Sequence, residues 1–204
     1  MSFNFLTLGH DCSPAGALRR LELRSTAYPF DWVISNISAL ELCFATNFEY
    51  FHKNVILNDT KTRVIDHYGF IFPHDYPLTN RNTNEDEIGE GTIGEENGKH
   101  IVDNWMDYNQ IVVEKYARRI ERFKNIINDL KPIIVLCRYD TKNVLELYNL
   151  FVRYYNRTDI YMVNAFPEPF ENNNIINIDI EKNNIWGDIN VWKEGVDYII
   201  KNKL

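Results

Sequence analysis

The chain has 204 residues, 45% of them hydrophobic and 14% aromatic, and a formal net charge of -7. That length and apolar content suit one globular domain with a full core and exclude a disordered chain. The acidic balance argues against a nucleic-acid backbone as partner, because such binders carry a basic footprint. Glu85, Asp86, Glu87, Glu90, Glu95 and Glu96 concentrate the excess, which leaves the remainder close to neutral.

In chain order, Phe3 to Leu8 is mostly apolar and reads as a buried strand. Ser13 and Pro14 supply helix-start chemistry, with Ala15, Leu18 and Leu21 as the buried stripe and Arg19, Arg20 and Arg24 as the polar side. Tyr28-Pro29 breaks that pattern, and Ser38 to Phe51 reads as a second helix with Leu42, Ala45 and Phe48 inward. Val55 to Leu57 and Thr62 to Phe72 read as short strands around an Asn58-Asp59 turn.

A Gly-, Asn- and acid-rich stretch follows, giving a flexible acidic loop at about 77–100. The longest helix pattern runs from about Asp103 to Leu130, with Val112, Tyr116, Ile120, Phe123, Ile127 and Leu130 on one stripe. Ile133 to Cys137 is a continuous apolar run typical of a central parallel strand. Thr141 to Tyr155 reads as helix, Ile160 to Val163 and Ile175 to Ile180 as strands, and Val191 to Lys201 as a closing helix. The alternation predicts a single α/β layered domain over 1–204, with a central, mostly parallel sheet flanked by helices.

Three cysteines, Cys12, Cys43 and Cys137, form an odd set without metal-ligand spacing. The expectation is a reducing, cytoplasmic setting without disulfides, structural metal or cofactor. No charged-then-apolar leader opens the sequence, and no apolar run approaches the roughly 20 residues of a membrane span. Neither secretion nor a membrane partner is expected; the oligomeric state is left open.

Cys12 is the leading candidate for chemistry. It stands between a strand and a helix start, where unpaired N–H groups and the helix dipole favour a thiolate nucleophile. The alternative is a small buried residue packing a tight turn; Cys43 and Cys137 sit inside apolar patterns and read as core. His74, in Phe72-Pro-His-Asp75, is the best base for it. Asp75 is adjacent, but neighbouring side chains on a strand point to opposite faces, so the orienting carboxylate is Asp75, Asp31 or Asp66.

His10 is the nearest histidine in sequence, suited to hold an anion or merely to complete a turn. Asp31, in Tyr28-Pro-Phe-Asp-Trp32, sits among aromatics and calls for a partner, for which Arg19 or Arg20 is suited. Arg138 ends a strand and is the arginine placed to bind a carboxylate or phosphate. In an open parallel sheet, residues that follow strands meet at one edge, which would gather Cys12, Arg138, Asp140 and Asn164.

Leu8-Gly-His-Asp-Cys12, Ala15 with Leu18-Arg-Arg20, Tyr28-Pro-Phe-Asp-Trp32, Phe72-Pro-His-Asp75 and Tyr116-Ala-Arg-Arg-Ile-Glu-Arg-Phe123 together resemble a family labelled putative papain-like cysteine peptidases. The resemblance implies Cys12 as nucleophile and His74 as base, with Asp75 or Asp31 assisting. It also implies a peptide substrate. In papain-like peptidases the cysteine opens a long helix and the histidine arrives later, on a strand of a β-rich half; here no glutamine precedes Cys12.

The function expected is a cysteine-nucleophile hydrolase acting on a peptide or small molecule, with His10, Trp32 and Arg138 contacting substrate. The N–H groups of residues 12 to 15 would stabilise the oxyanion. Two alternatives stand beside it. One is an esterase or acyltransferase of SGNH-like architecture on a small molecule or carbohydrate, with Asp188 as its late acid. The other is a non-catalytic ligand-binding domain.

Overall fold

A computed structural model describes residues 3–80, 86–87, 99–180 and 187–203. Four parallel strands form the central sheet: β1 (Asn4–Gly9), β8 (Ile133–Arg138), β9 (Ile160–Ala165) and β10 (Ile175–Ile178), in spatial order β1-β8-β9-β10. The register is continuous, with Leu6 opposite Val135 and Val135 opposite Met162. The α/β architecture with a central parallel sheet is therefore observed as expected.

Alternation along the strands splits the core into two layers. Ile133, Val135 and Cys137 of β8 face one way with Leu6, Leu8, Ile160 and Met162. Ile134 and Leu136 face the other way with Val163, Ala165 and Ile178. On that second face pack α1 (Ser13–Arg20) and α5 (Ile189–Asn202), through Ala17, Leu18, Trp192, Val196 and Ile199. On the first face lie α2 (Ile37–Ala45), α3 (Asn109–Asn128) and α4 (Thr141–Tyr155), through Leu40, Phe44, Phe123, Leu147 and Phe151.

Between β1 and β8 the chain also builds two small antiparallel sheets. One joins β2 (Ile56–Leu57), β3 (Val64–Ile65) and β4 (Ile71–Phe72); the other places β5 (Leu78–Asn80) between β6 (Asp86–Glu87) and β7 (Lys99–Ile101). Aromatic rings join this region to the first face of the main sheet. Phe30 lies 5.6 Å from Phe70 and 5.6 Å from Phe123, both edge-on, the favoured geometry for such pairs.

Several expectations are corrected. The second helix stops at Ala45 rather than Phe51, because Asn47 and Phe48 take left-handed backbone angles, φ 49° and 66°. Its buried residues are Ala39, Leu40, Cys43 and Phe44, while Leu42 is 56% exposed. α3 ends at Asn128 on an extended Asp129, so Leu130 leaves the stripe and is 96% exposed. The stretch expected as one flexible acidic loop contains strands β5, β6 and β7; Glu85, Glu90, Glu95 and Glu96 lie outside the described residues.

Helix α5 meets the sheet at Gly195. A Cβ there would lie 2.6 Å from Val163 Cγ1 and 3.1 Å from Ile178 Cγ2. Gly195→Ala gains roughly 1 kcal/mol of helix propensity. The overpacking cost of about 1–3 kcal/mol outweighs it. Thermal melting should show a lower midpoint for this variant; an unchanged or raised midpoint would contradict the close approach.

Candidate functional site

The turn after β1 is built for tight folding. Gly9 ends the strand, and a Cβ on it would stand 3.3 Å from both the Asp11 carbonyl and Pro14 Cγ. Ser35 donates twice to the Gly9 carbonyl, from its N–H at 2.9 Å and its hydroxyl at 3.0 Å, and its hydroxyl also meets Tyr139 Oη at 2.7 Å. These ties fix the position of Cys12, which caps α1 and is 5% exposed.

Cys12 Sγ lies 3.4 Å from His74 Nε2. His74 follows β4, two residues beyond Phe72, in the small antiparallel sheet. Its ring meets the Trp32 indole edge-on, with centroids 6.0 Å apart. Trp32 adopts φ 65°, a conformation that costs a bulky L-residue energy and that the surrounding fold must impose. The Arg19 guanidinium covers the other part of the indole at 5.1 Å.

Asp75 does not face His74. Its carboxylate accepts from Lys115 and, at 2.9 Å, from the Tyr116 hydroxyl, both on α3. Asp66 instead accepts the backbone N–H groups of His52, Tyr68 and Phe70 at 2.9–3.0 Å, which braces the small sheet. Asp31 is 2% exposed and accepts from Thr7 Oγ1 at 2.5 Å, from the Tyr28 N–H at 2.9 Å and from Arg24. Its ion-pair partner is thus Arg24, not Arg19 or Arg20, because the chain folds back through Glu22 at φ 54°. Among the described residues, His74 hydrogen-bonds to Cys12 alone, with no carboxylate behind it.

The surroundings of the sulfur work against the expected thiolate. Burial pushes the Cys12 thiol up to about 12, and the Asp11 carboxylate adds to the effect, against an opposing pull from Arg63. Burial also holds His74 below the ordinary imidazole range, with Asp75 opposing and Arg63 and Lys115 assisting. Both shifts favour the neutral forms, thiol and imidazole, over the ion pair. The helix start gives little help, because Asp11 Oδ1 takes the Ser13 N–H at 2.9 Å and Pro14 has none. Gly16 N–H bonds back to the Cys12 carbonyl at 3.0 Å. Of residues 12 to 15, only Cys12 and Ala15 then have an N–H to offer an oxyanion.

The strand ends converge in part. Arg138 Nη1 donates to Asp11 Oδ2 at 2.8 Å, and His10 Nδ1 donates to the Arg138 carbonyl at 2.7 Å. Asn164 clamps the segment after β8 through the Tyr139 N–H and carbonyl, each at 2.9 Å. Asp140 and Asp188 do not join the site: they cap α4 and α5, accepting from Asn143 N at 2.7 Å and Asn190 N at 2.8 Å. Ser35 and Tyr139 escaped the sequence reading, as did the ties of Arg24 to Asp31 and of Lys115 and Tyr116 to Asp75. No local pattern marks these contacts, since each joins more than one element. Among the described residues, no group of three or more His, Cys, Asp or Glu side chains is placed to hold a metal ion, and no helix is long and apolar enough to cross a membrane.

A thiol at a helix start, in contact with an imidazole from the segment just past a neighbouring antiparallel strand, defines the class: an α/β protein with a paired cysteine and histidine. Residues 3–164 match the family model described as "Putative papain-like cysteine peptidase (DUF1796)", and the chain belongs to that family. No curated protein and no solved structure matches the chain.

Proposed function

We propose that the protein is a cysteine-nucleophile acyl-transfer enzyme, a hydrolase when water is the acceptor, working through Cys12 and His74. The observation that carries this reading is the 3.4 Å contact between Sγ and Nε2 in a water-poor corner. Peptide substrates follow from the family; esters and other amides are open to the same chemistry.

Because the pair rests neutral, His74 acts as a general base. Nε2 takes the thiol proton as Sγ bonds to the carbonyl carbon, and the carbonyl electron pair moves onto oxygen. The Cys12 and Ala15 N–H groups are the donors for that oxyanion. Collapse breaks the bond to the leaving group, which departs with the proton from His74. Water then attacks the thioester, gives a proton to His74 and releases the acid, and the proton returns to sulfur. Trp32 supports the imidazole, while Asp31 and Asp75 serve the scaffold. The carboxylate of a full triad is replaced by packing against Trp32.

The test is acetylation by p-nitrophenyl acetate followed by peptide mass analysis. Cys12 should take up one acetyl group and turn it over, and Cys12→Ala should abolish both. Acetylation spread over surface lysines, with none on Cys12, would sink the reading.

A further inference from the structure

A cavity of about 240 Å³ opens at the carboxyl edge of the central sheet, lined by His10, Arg138, Ala165, Phe166, Pro167 and Ile180. These residues end or follow β1, β8, β9 and β10, the edge where open parallel sheets take their ligands. Its size falls below the roughly 300–1,000 Å³ of pockets that hold a whole drug-sized ligand. It suits one side chain or a short acyl chain rather than a nucleotide.

The cavity is tied directly to the Cys12 turn. Arg138 Nη1 donates to Asp11 Oδ2 at 2.8 Å and to Ser13 Oγ at 3.4 Å, the two residues that flank Cys12. Both bonds leave from Nη1, so Nη2 and Nε have no hydrogen-bond partner among the described residues. A guanidinium carries five donors, and a free edge of two N–H directions is the geometry that grips a carboxylate. The Asp11–Arg138 pair is partly exposed, at 33% and 23%, and pairs of this kind contribute little binding of their own. It leaves the guanidinium available to a second anion. His10, held by its Nδ1 bond to the Arg138 carbonyl, adds a second nitrogen-bearing wall. Ala165, Phe166, Pro167 and Ile180 supply an apolar one.

We propose that this cavity is the substrate-recognition pocket of the Cys12 site. It takes a carboxylate attached to a small aliphatic body, the chemistry of a peptide's C-terminal residue. The proposal rests on Cys12 being the acyl-accepting thiol.

Calorimetric titration of the full chain carrying Cys12→Ser, with N-acetyl-leucine and N-acetyl-leucinamide as probes, tests it. The acid should bind about tenfold more tightly than the amide, a difference of about 1.4 kcal/mol. Arg138→Gln should erase that preference, and Phe166→Ala should weaken both probes while leaving the preference in place. Equal binding of acid and amide, or no heat of binding for either, would overturn the proposal. Acetylation of Cys12 by p-nitrophenyl acetate without any acid preference would remove the pocket and leave the nucleophile standing. The expected binding pattern in a chain whose Cys12 takes up no acetyl group would overturn its assignment as a substrate pocket, and the acyl-transfer reading with it.

Discussion

His74→Ala should slow acetylation of Cys12 by about 10²- to 10⁴-fold at neutral pH, the range supplied by a positioned general base. The size of the effect follows from the resting state. With the thiol held at about 12 by burial and Asp11, sulfur is scarcely ionised at neutral pH and needs a base at the moment of attack. In the proposed mechanism His74 is that base, and burial lowers its proton affinity below the ordinary imidazole range. The sign of the pH dependence follows. Acetylation should stay level through neutral and mildly alkaline pH and fall only in acid, once His74 gains a proton below the ordinary value of about 6.5.

Alkylation by iodoacetamide gives a separate readout. Its rate at Cys12 should climb steadily from neutral to alkaline pH and stay below that of the unfolded chain, whose thiols titrate at about 8.5. A plateau of fast alkylation below neutral pH would reveal a preformed thiolate–imidazolium pair and overturn the neutral-pair mechanism. An acetylation rate indifferent to His74→Ala would remove the base.

Asp31→Ala should be the most damaging single change to the scaffold. It removes the acceptor for Thr7, the Tyr28 N–H and Arg24 together, in a place 2% exposed. Arg24 is itself nearly buried, over the Tyr28 ring at 4.2 Å and bonded to the Phe5 carbonyl at 3.0 Å. Stranding a charge in such a position costs about 3–5 kcal/mol. For a chain of this length that corresponds to a melting point lower by about 10 °C. Urea unfolding should show a lower midpoint with an unchanged slope. A loss below about 1 kcal/mol would mean that water reaches Arg24 readily and that Asp31 is not the anchor of this corner.

The elements that could be read directly from the sequence are those whose periodicity coincides with burial. Val112, Tyr116, Phe123 and Ile127 share a stripe because α3 is uninterrupted, and Ile133 to Cys137 reads as a strand because both faces of the sheet are covered. The pairing of Cys12 with His74 was legible from position alone, one side chain at a strand-to-helix turn and the other just past a strand. The ionisation of that pair was not. Dipole arguments treat the helix start as open, whereas Asp11 occupies the Ser13 N–H and places its own charge beside the sulfur. Arg24 was hidden for a different reason: its reach to Asp31 depends on a left-handed Glu22, which no residue type announces. The end of α2 was misplaced likewise, since Phe48 has no intrinsic tendency to the conformation it adopts.

The neutral resting pair also bears on oxidative damage. Peroxide attacks thiolates, and sulfenic acid forms fastest on accessible cysteines of low proton affinity. A sulfur that is 5% exposed, with its proton affinity raised by burial, offers peroxide very little to react with. In the idle protein the proposed nucleophile would keep its reduced state without a disulfide to guard it, and under the proposed mechanism it becomes vulnerable chiefly during turnover.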